Sequence, residues 1–285
     1  MAGKNPKVKA VIPAAGYGSR LHPFTLAVPK ELLPVRRKPM IQMAVEEAIA
    51  SGIQDVGVII RKGKEVIRDY FDVLKTESRP SNKDHNSAVS LARAKLHFFF
   101  QEKPIGPGDA IYKAKDFIGD SCFVMIIPDQ FVISNSPATA QLLDAAKEDM
   151  NAVWSSLVTV PPEELRFFTG ARMLKLTNRS GNTWEVAGLC KETGYSNDMN
   201  SLGFGRTYFP SGLVEFFSKD YINPVSGEVD LLPSFEALIR GHRNCAALLA
   251  GKALDCGSWD GYEYFSVGDN GCERDMGKHV MWEMS

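Results

Sequence analysis

The chain has 285 residues, of which 44% are hydrophobic, and its formal net charge is −1. This length and composition suffice for a sizeable buried core, in one large domain or in a domain with a small appendage. The balanced charge argues against nonspecific nucleic-acid binding and against polybasic attachment to a membrane.

The distribution of apolar residues and cysteines points to the cytoplasm. The apolar stretch before Gly16 is too short for a secretory signal, and no apolar run approaches the roughly 20 residues of a membrane helix. The five cysteines form no CxxC pair and stand at Cys122, Cys190, Cys245, Cys256 and Cys272. An odd, scattered set of this kind is typical of reduced thiols and favours neither a disulfide framework nor a zinc site.

The first 160 residues alternate predicted strands and predicted helices. Short apolar or β-branched runs predict strands at 7–14, 55–60, 94–101, 121–132 and 152–160, the fourth with an apolar run that stops at Pro128-Asp129. Helical spacing predicts helices at 39–53, 63–74, 108–118 and 136–150. Residues 76–90 are polar and predict a surface excursion. This order is typical of a parallel sheet with crossover helices.

The pattern after residue 160 is less regular. Strands are predicted at 170–176, 183–192, 201–209 and 246–251, and a helix with a break near Pro233 at 230–241. The last stretch, 265–285, gives no assignment. No internal repeat or linker marks a domain boundary.

One segment, "IPAAGYGSRLHPFTLAVPKELLP" at 12–34, follows the first predicted strand. Backbone N–H groups at a strand-to-helix turn bind anions, and the absence of a Cβ at Gly16 and Gly18 lets phosphate oxygens approach them. Arg20 adds a planar, permanently charged donor, and Lys30 adds a mobile point charge. The segment therefore suits a phosphate chain.

Two known loops do not match this segment. A P-loop needs Lys after its last glycine, whereas Ser19-Arg20 follows Gly18. A dinucleotide fingerprint needs a third glycine where Leu21 stands. The glycines alone also allow an ordinary tight turn with a solvated Arg20.

The whole segment resembles the signature of the sugar-1-phosphate nucleotidylyltransferases. The matching residues, in the order and spacing of that family, are Gly16, Gly18, Ser19, Arg20, Pro23, Thr25, Pro29, Lys30 and Pro34. The "VPKELLP" and "KPMIQ" stretches resemble the bacterial-type UTP-glucose-1-phosphate uridylyltransferases most, with the thymidylyltransferases next.

The resemblance implies an α/β, Rossmann-like nucleotidyltransferase fold with a mixed, mainly parallel central sheet flanked by helices. It implies one domain over 1–265, with a nucleotide half at about 1–135 and a sugar-binding half at about 136–265, followed by a C-terminal extension at 266–285. The implied reaction transfers a nucleotidyl group from a nucleoside triphosphate to a sugar 1-phosphate. UTP is the favoured donor, with dTTP next, and glucose 1-phosphate is the favoured acceptor. Neither nucleic acid nor membrane is an expected partner, and a homo-oligomer is consistent with the family.

The resemblance also assigns roles to single residues of the loop. Arg20 would hold the triphosphate, and Lys30 would balance the charge that builds up between the two phosphates. Nucleotide binding would fall to Ala14, Ala15, Gly16, Gly18 and Ser19. Chemistry of this kind depends on positioning and charge neutralisation.

A polyphosphate substrate calls for Mg²⁺, which proteins hold through one or two carboxylates. Asp129 closes the "FVMIIPD" strand and Asp255 lies in "LDCG", both in the contexts of the family's metal-binding aspartates. Each residue alone is also compatible with a turn or a helix cap.

The base and the sugar have their own predicted contacts. In "QEKPIGPGDAI", Gln101, Gly106 and Gly108 stand where the family reads the pyrimidine edge. Gly170 matches a glycine near the sugar, and Lys191 matches the lysine on the sugar phosphate. Cys190 occupies the place of a family glutamate and cannot accept hydroxyl hydrogen bonds as a carboxylate does.

Two other functions are alternatives. A catalytically inactive sugar-nucleotide-binding or regulatory protein on the same scaffold would not need all four of Arg20, Lys30, Asp129 and Asp255. The absence of the third glycine argues against an NAD(P)-dependent oxidoreductase.

Overall fold

A computed structural model provides the architecture. It describes residues 7–76, 91, 94–171, 173–189, 201–218, 236 and 238–267. None of the helices in these ranges is both long enough and apolar enough to cross a bilayer.

The described residues form strands in the following chain order: β1 (Val8–Pro13), β2 (Pro34–Val35), β3 (Lys38–Pro39), β4 (Asp55–Arg61), β5 (Lys95–Gln101), β6 (Cys122–Ile126), β7 (Gln130–Ile133), β8 (Val153–Thr159), β9 (Leu174–Ser180), β10 (Thr183–Leu189), β11 (Ser201–Phe209), β12 (Asn244–Leu248) and β13 (Lys252–Asp255). Nine of them make one sheet in the order β5-β4-β1-β6-β11-β8-β12-β10-β9. β2 pairs with β3, and β7 pairs with β13, in two small antiparallel sheets.

The central sheet is mixed and mainly parallel, as predicted. β5, β4, β1 and β6 are mutually parallel, and β12 runs parallel to β8. Only β11 and β10 oppose the other seven strands of this sheet, through their antiparallel pairings. The predicted fold class is therefore confirmed.

The described helices are α1 (Met40–Ala50), α2 (Val66–Thr76), α3 (Pro107–Lys113), α4 (Lys115–Ile118), α5 (Ala138–Ala146) and α6 (Trp259–Tyr262). α2 buries Ile67 and Phe71, which are four residues apart and so share one face. The prediction of one helix over 108–118 is wrong, because the segment divides into α3 and α4 at Ala114. Of the helix predicted at 230–241, the structure describes only 236 and 238–241, and these residues are helical. Most of 265–285 lies outside the described residues.

Strand β1 shows how the sheet is buried on both faces. Ala10 and Ile12 join one hydrophobic cluster, whereas Val11 between them joins another. Neighbouring side chains of a strand point to opposite faces, so both faces of β1 are covered. Full burial of a residue such as Ile12 contributes about 1.5–3 kcal/mol to folding.

The chain breaks the predicted strand at 121–132 into two. β6 ends at Ile126, and β7 begins at Gln130 in a different sheet. Pro128 has no N–H group to continue the ladder, so the chain turns there. The result is a turn over 127–130, called the Asp129 turn below, at the carboxyl end of β6.

Candidate active site

The carboxyl ends of β1, β5 and β6 open into a cleft of about 510 Å³. Ligands of open α/β sheets bind at this edge. The structure brings together in the cleft most of the residues predicted for the site, namely Ala15, Gly16, Gly18, Ser19, Arg20, Lys30, Gln101, Gly106, Asp129, Gly170 and Asp255.

Glycine stands at positions 16 and 18 of the loop for different physical reasons. Gly18 has φ +69°, and a Cβ there would lie 3.2 Å from Thr25 Cγ2, so the backbone itself needs glycine. At Gly16 φ is not in the positive region that favours glycine, and an added Cβ would meet none of the described residues within 4 Å. Since the fold does not require glycine at Gly16, the bare backbone there suits a ligand.

The backbone N–H and carbonyl of Ala14 are both hydrogen-bonded within the protein. Its N–H donates to Ile59 O at 2.8 Å, and its carbonyl accepts from Lys64 Nζ at 2.9 Å. The Lys64 ammonium also pairs with Glu31 at 2.8 Å, and both side chains are almost fully buried. Burial lowers the pKa of Lys64 despite the neighbouring Glu31 carboxylate. Lys64 thus joins the start of the glycine loop to the residue next to Lys30, and sequence reasoning did not single it out.

Arg20 lies at the exposed edge of the cleft. Its guanidinium donates through Nη1 to Thr169 Oγ1, on the far wall. The Nη2 atom lies 3.2 Å from the position that a Cβ on Gly257 would occupy. A permanently charged fork at this edge suits the oxygens of a triphosphate.

Lys30 and Asp129 form a short ion pair within the cleft. Lys30 Nζ lies 2.6 Å from Asp129 Oδ2, with side chains 16% and 6% exposed. Burial opposes the charge on Lys30, but Asp129 and Glu31 outweigh it and raise the lysine's pKa. Burial likewise opposes the charge on Asp129, but Lys30 and Arg20 lower the pKa of that carboxyl. Both groups are therefore charged at neutral pH.

The small sheet of β7 and β13 brings Asp255 to Asp129. Asp255 is the register partner of Gln130 in this sheet, and Cys256 N donates to Asp129 O at 2.8 Å. A Cβ on Gly257 would lie 2.7 Å from Asp129 Oδ2 and 3.1 Å from Asp255 Oδ1. The two carboxylates therefore converge on one point.

This convergence fits a divalent cation. Burial and the charge of Asp129 raise the pKa of Asp255, so the Asp255 carboxylate is short of positive charge. The described residues contain no group of three or more His, Cys, Asp or Glu side chains suited to a metal. Two carboxylates completed by substrate oxygens are the donor set that Mg²⁺ commonly takes.

Gln130 is a polar residue of the site that sequence reasoning missed. Its Nε2 donates to Asp255 Oδ2 at 3.1 Å, and Gly170 N donates to the same oxygen at 3.2 Å. An added Cβ on Gly170 would lie 2.8 Å from Gln130 Nε2. Gly170 therefore makes room for the amide that orients Asp255. The sequence signal that could have revealed Gln130 is the presence of a polar residue directly after Asp129.

Gln101 is held in one orientation at the end of β5. Its Nε2 donates to Asp109 Oδ2 at 2.8 Å and to Gly106 O at 3.1 Å. The carbonyl oxygen Oε1 accepts no hydrogen bond from the described residues, and Gln101 lines the cleft. Lys191 and Cys190 lie outside the described residues, so the predicted sugar-phosphate lysine is not placed here.

A profile of the nucleotidyl transferase family matches residues 9–269. The chain belongs to this family. The predicted family and its nucleotidyltransferase activity are thereby confirmed.

Named relatives of this nucleotidyl transferase cover most of its length. The UTP–glucose-1-phosphate uridylyltransferase of Bacillus subtilis (strain 168) is 29% identical over 261 residues, 89% of this chain and 88% of the relative. A second from that organism, UTP–glucose-1-phosphate uridylyltransferase YngB, is 30% identical over 257 residues, 87% and 84% of the two chains. A crystal structure of UDP-glucose pyrophosphorylase complexed with UDP-glucose superposes with a TM-score of 0.74 at 26% identity, covering 91% of this chain and 97% of the other.

Proposed function

We propose that this nucleotidyl transferase makes UDP-glucose from UTP and glucose 1-phosphate. An oxygen of the sugar phosphate attacks the α-phosphorus of UTP, a new P–O bond forms in line, and the bond to pyrophosphate breaks. The acceptor phosphate, with a second pKa of about 6, is mostly ionised at neutral pH and needs no base. The protein has to position the reactants and neutralise charge.

The observation that carries this proposal is the ion pair of Lys30 and Asp129 beside the glycine loop. Because Arg20 lies at the cleft edge, it is placed to hold the triphosphate oxygens. Lys30 is deeper, and its ammonium can move from Asp129 to the phosphate oxygens on which negative charge develops. Donors placed where charge develops are usually the largest catalytic contribution.

Asp129 and Asp255 would hold the divalent cation, and we propose that it is Mg²⁺. When bound, Mg²⁺ supplies charge neutralisation and a template for the phosphate oxygens. Gln130 and the N–H groups of Gly170 and Gly257 fix the Asp255 carboxylate in place.

The orientation of the Gln101 amide favours a nucleotide with a uracil or thymine base. Its fixed Nε2 leaves Oε1 as an acceptor in the cleft, which matches the N3–H donor of these two bases. The relatives named above favour UTP over dTTP, since their names specify UTP. The two bases differ by one methyl group, which is worth about 1–3 kcal/mol in a pocket.

We place the nucleotide in the half at about 1–135 and the sugar in the half at about 136–265, with 266–285 as an extension. Gly170 is the described residue of the predicted sugar side, and Lys191 stays a prediction for the sugar phosphate. The three described cysteines are free and buried, in keeping with the predicted cytoplasmic location. A homo-oligomer also stays a prediction.

Pyrophosphate release tests the proposal. The purified protein is incubated with Mg²⁺, one of five nucleoside triphosphates and one of several sugar 1-phosphates, and phosphate is counted after a pyrophosphatase step. We expect the fastest release with UTP and glucose 1-phosphate. UTP binding without release from any pair would instead indicate the inactive binding protein.

A further inference from the structure

Strand β11 carries a buried arginine under the cleft. Its pairing with β8 shifts register between Gly203 and Thr207, and Gly205 there has φ +66°. Such a bulge re-aims the neighbouring side chain. Arg206, which is 1% exposed, consequently lies under the Asp129 turn within the protein.

The Arg206 guanidinium binds the two ends of that turn. Its Nη1 donates to Gln130 O at 2.6 Å and to Ile127 O at 3.3 Å. The turn closes itself only weakly, since Gln130 N is 3.4 Å from Ile127 O and Pro128 has no N–H. Ile127 N completes the attachment to β11 by donating to Gly205 O at 2.9 Å.

Glu47 of α1 holds Arg206 from the other side. Its two carboxylate oxygens accept from Arg206 Nε at 2.8 Å and from Nη2 at 2.5 Å, a bidentate pair. Thr139 donates to Glu47 through both its N–H, at 3.0 Å, and its hydroxyl, at 2.6 Å. The orientation of Arg206 is thus fixed from α1 and from the start of α5.

We propose that Arg206, oriented by Glu47, is a positioning residue that sets the Asp129 carboxylate for nucleotidyl transfer. The inference deepens the proposed function and rests on it. Arg206 borders the floor of the cleft but is only 1% exposed, so we assign it no direct contact with a reactant. It acts through the backbone carbonyls on either side of Asp129, on which the placement of that carboxylate beside Lys30 depends.

The chemistry of the pair favours this role over simple packing. Burying two charges has a desolvation cost that apolar residues of similar volume would avoid, so a buried ion pair is weak evidence for stability alone. Apolar side chains, however, have no donor for the carbonyls of Ile127 and Gln130. Only a long, multidentate donor such as Arg206 can hold both while its charge is balanced by Glu47.

The test compares Glu47→Gln and Arg206→Lys with Glu46→Gln. The glutamine keeps the volume of Glu47 and weakens its hold on Arg206, whereas the lysine keeps the charge and loses the fork. Glu46 is the neighbouring residue of α1 and binds Lys38 and Gln42 instead, so its variant is a matched control. Thr139→Val is a milder variant if either of the first two fails to fold.

Three measurements are made on each folded variant. Steady-state kinetics with UTP, glucose 1-phosphate and Mg²⁺ separates kcat from KM. Hydrogen exchange of the peptide over 122–133 reports how firmly the Asp129 turn is held. Mn²⁺ titration followed by electron paramagnetic resonance, with UTP present, reports binding of a divalent ion without turnover.

We expect kcat to fall about 10²-fold in Glu47→Gln and Arg206→Lys, the loss typical of a misplacement of about 1 Å, with KM nearly unchanged. Exchange over 122–133 should accelerate and Mn²⁺ binding should weaken about 10-fold or more, as when the partner of a metal ligand is lost. Glu46→Gln should match the wild type, and Thr139→Val should lie between.

Lowered stability with wild-type kcat, turn exchange and Mn²⁺ binding would overturn the proposal, since Arg206 would then be structural only. Failure of the proposed function has a different signature. The wild type would release no pyrophosphate, while the exchange and Mn²⁺ measurements would still decide whether Arg206 holds the Asp129 turn.

Discussion

Lys30 Nζ lies 2.6 Å from Asp129 Oδ2, although 99 residues separate them in the chain. In the free protein this contact keeps a buried ammonium charged and ready beside the glycine loop. In the proposed function, the approach of substrate phosphate would give Lys30 a second set of anionic partners and would leave Asp129 to hold the cation.

Lys30→Ala should therefore affect the rate far more than nucleotide binding. We expect kcat to fall about 10²–10³-fold, because removal of one donor to a developing charge costs about 2.7–4 kcal/mol. The KM for UTP should change little. Stopped-flow single-turnover measurements isolate the chemical step, and Lys30→Arg, which keeps the charge, should recover part of the rate. An unchanged single-turnover rate in Lys30→Ala would remove Lys30 from the chemistry.

Gly16→Ala and Gly18→Ala should separate ligand binding from folding. An alanine at Gly16 meets no atom of the described residues within 4 Å, so we expect normal stability. We also expect an increase in the Kd for UTP of about 10-fold or more, since the added Cβ obstructs phosphate oxygens. An alanine at Gly18 must adopt φ near +69°, which costs about 1–2 kcal/mol of stability. Calorimetry measures the Kd for UTP, and urea unfolding measures the stability. Normal UTP binding by Gly16→Ala would contradict the phosphate role of this glycine.

Gly257→Ala should place a methyl group where the two aspartates converge. Its Cβ would lie 2.7 Å from Asp129 Oδ2, closer than a carbon and an oxygen pack. We expect the Mg²⁺ concentration for half-maximal rate to rise about 10–100-fold, the range for disturbed metal ligands. Gly188→Ala is the control, since an alanine there meets no atom of the described part of the chain within 4 Å. An equal Mg²⁺ requirement in both variants would argue against a cation between Asp129 and Asp255.

Gln101 should discriminate between uracil and cytosine. Cytosine has no hydrogen at N3, so CTP would leave Gln101 Oε1 without a donor, at a cost of about 1–3 kcal/mol. We expect kcat/KM to be at least about 10-fold higher for UTP than for CTP, and Gln101→Leu should narrow this ratio. Competition between the two nucleotides in one reaction measures it directly. A ratio that is the same in Gln101→Leu would assign base selection to another group.

The contribution of Glu47 to stability should depend on pH. Burial opposes its charge, but Arg206 and Thr139 lower the pKa of Glu47 below the ordinary 4.5. A carboxyl with a lowered pKa stabilises the fold above its ordinary pKa, and this stabilisation is lost as pH falls through the folded-state value. Glu47→Gln should cost about 3 kcal/mol at pH 7, because it leaves Arg206 buried without its partner. Urea unfolding should show this difference shrinking below pH 4.5, and a constant difference would disprove the linkage.

The sequence predicted the sheet, the family and the glycine loop because these depend on local patterns. Short apolar runs predicted β1, β4 and β5 closely. β1 and β4 are largely buried and almost continuously hydrophobic, as is typical of parallel strands, whereas β5 is a partly exposed edge strand. The residues from Gly16 to Lys30 form a contiguous sequence signature, which can be recognised without any knowledge of the fold.

The convergence of Asp129 and Asp255 was not predictable from local pattern. β7 and β13 have four residues each, too few for a periodicity, and their pairing joins segments more than a hundred residues apart. Arg206 lies in a stretch that was read as an ordinary strand, where a charged residue is expected to face solvent. Its burial depends on a bulge and on a glutamate of α1, and both are tertiary features.

The pairing of β7 with β13 also sets an order of events during synthesis. The glycine loop, Lys30 and Asp129 leave the ribosome early, yet Asp255 can reach them only after the strand at 252–255 has emerged. A nascent chain can therefore contain the whole glycine loop and still lack one carboxylate of the cleft. A reaction that depends on both carboxylates would therefore have to wait until the strand at 252–255 has been translated.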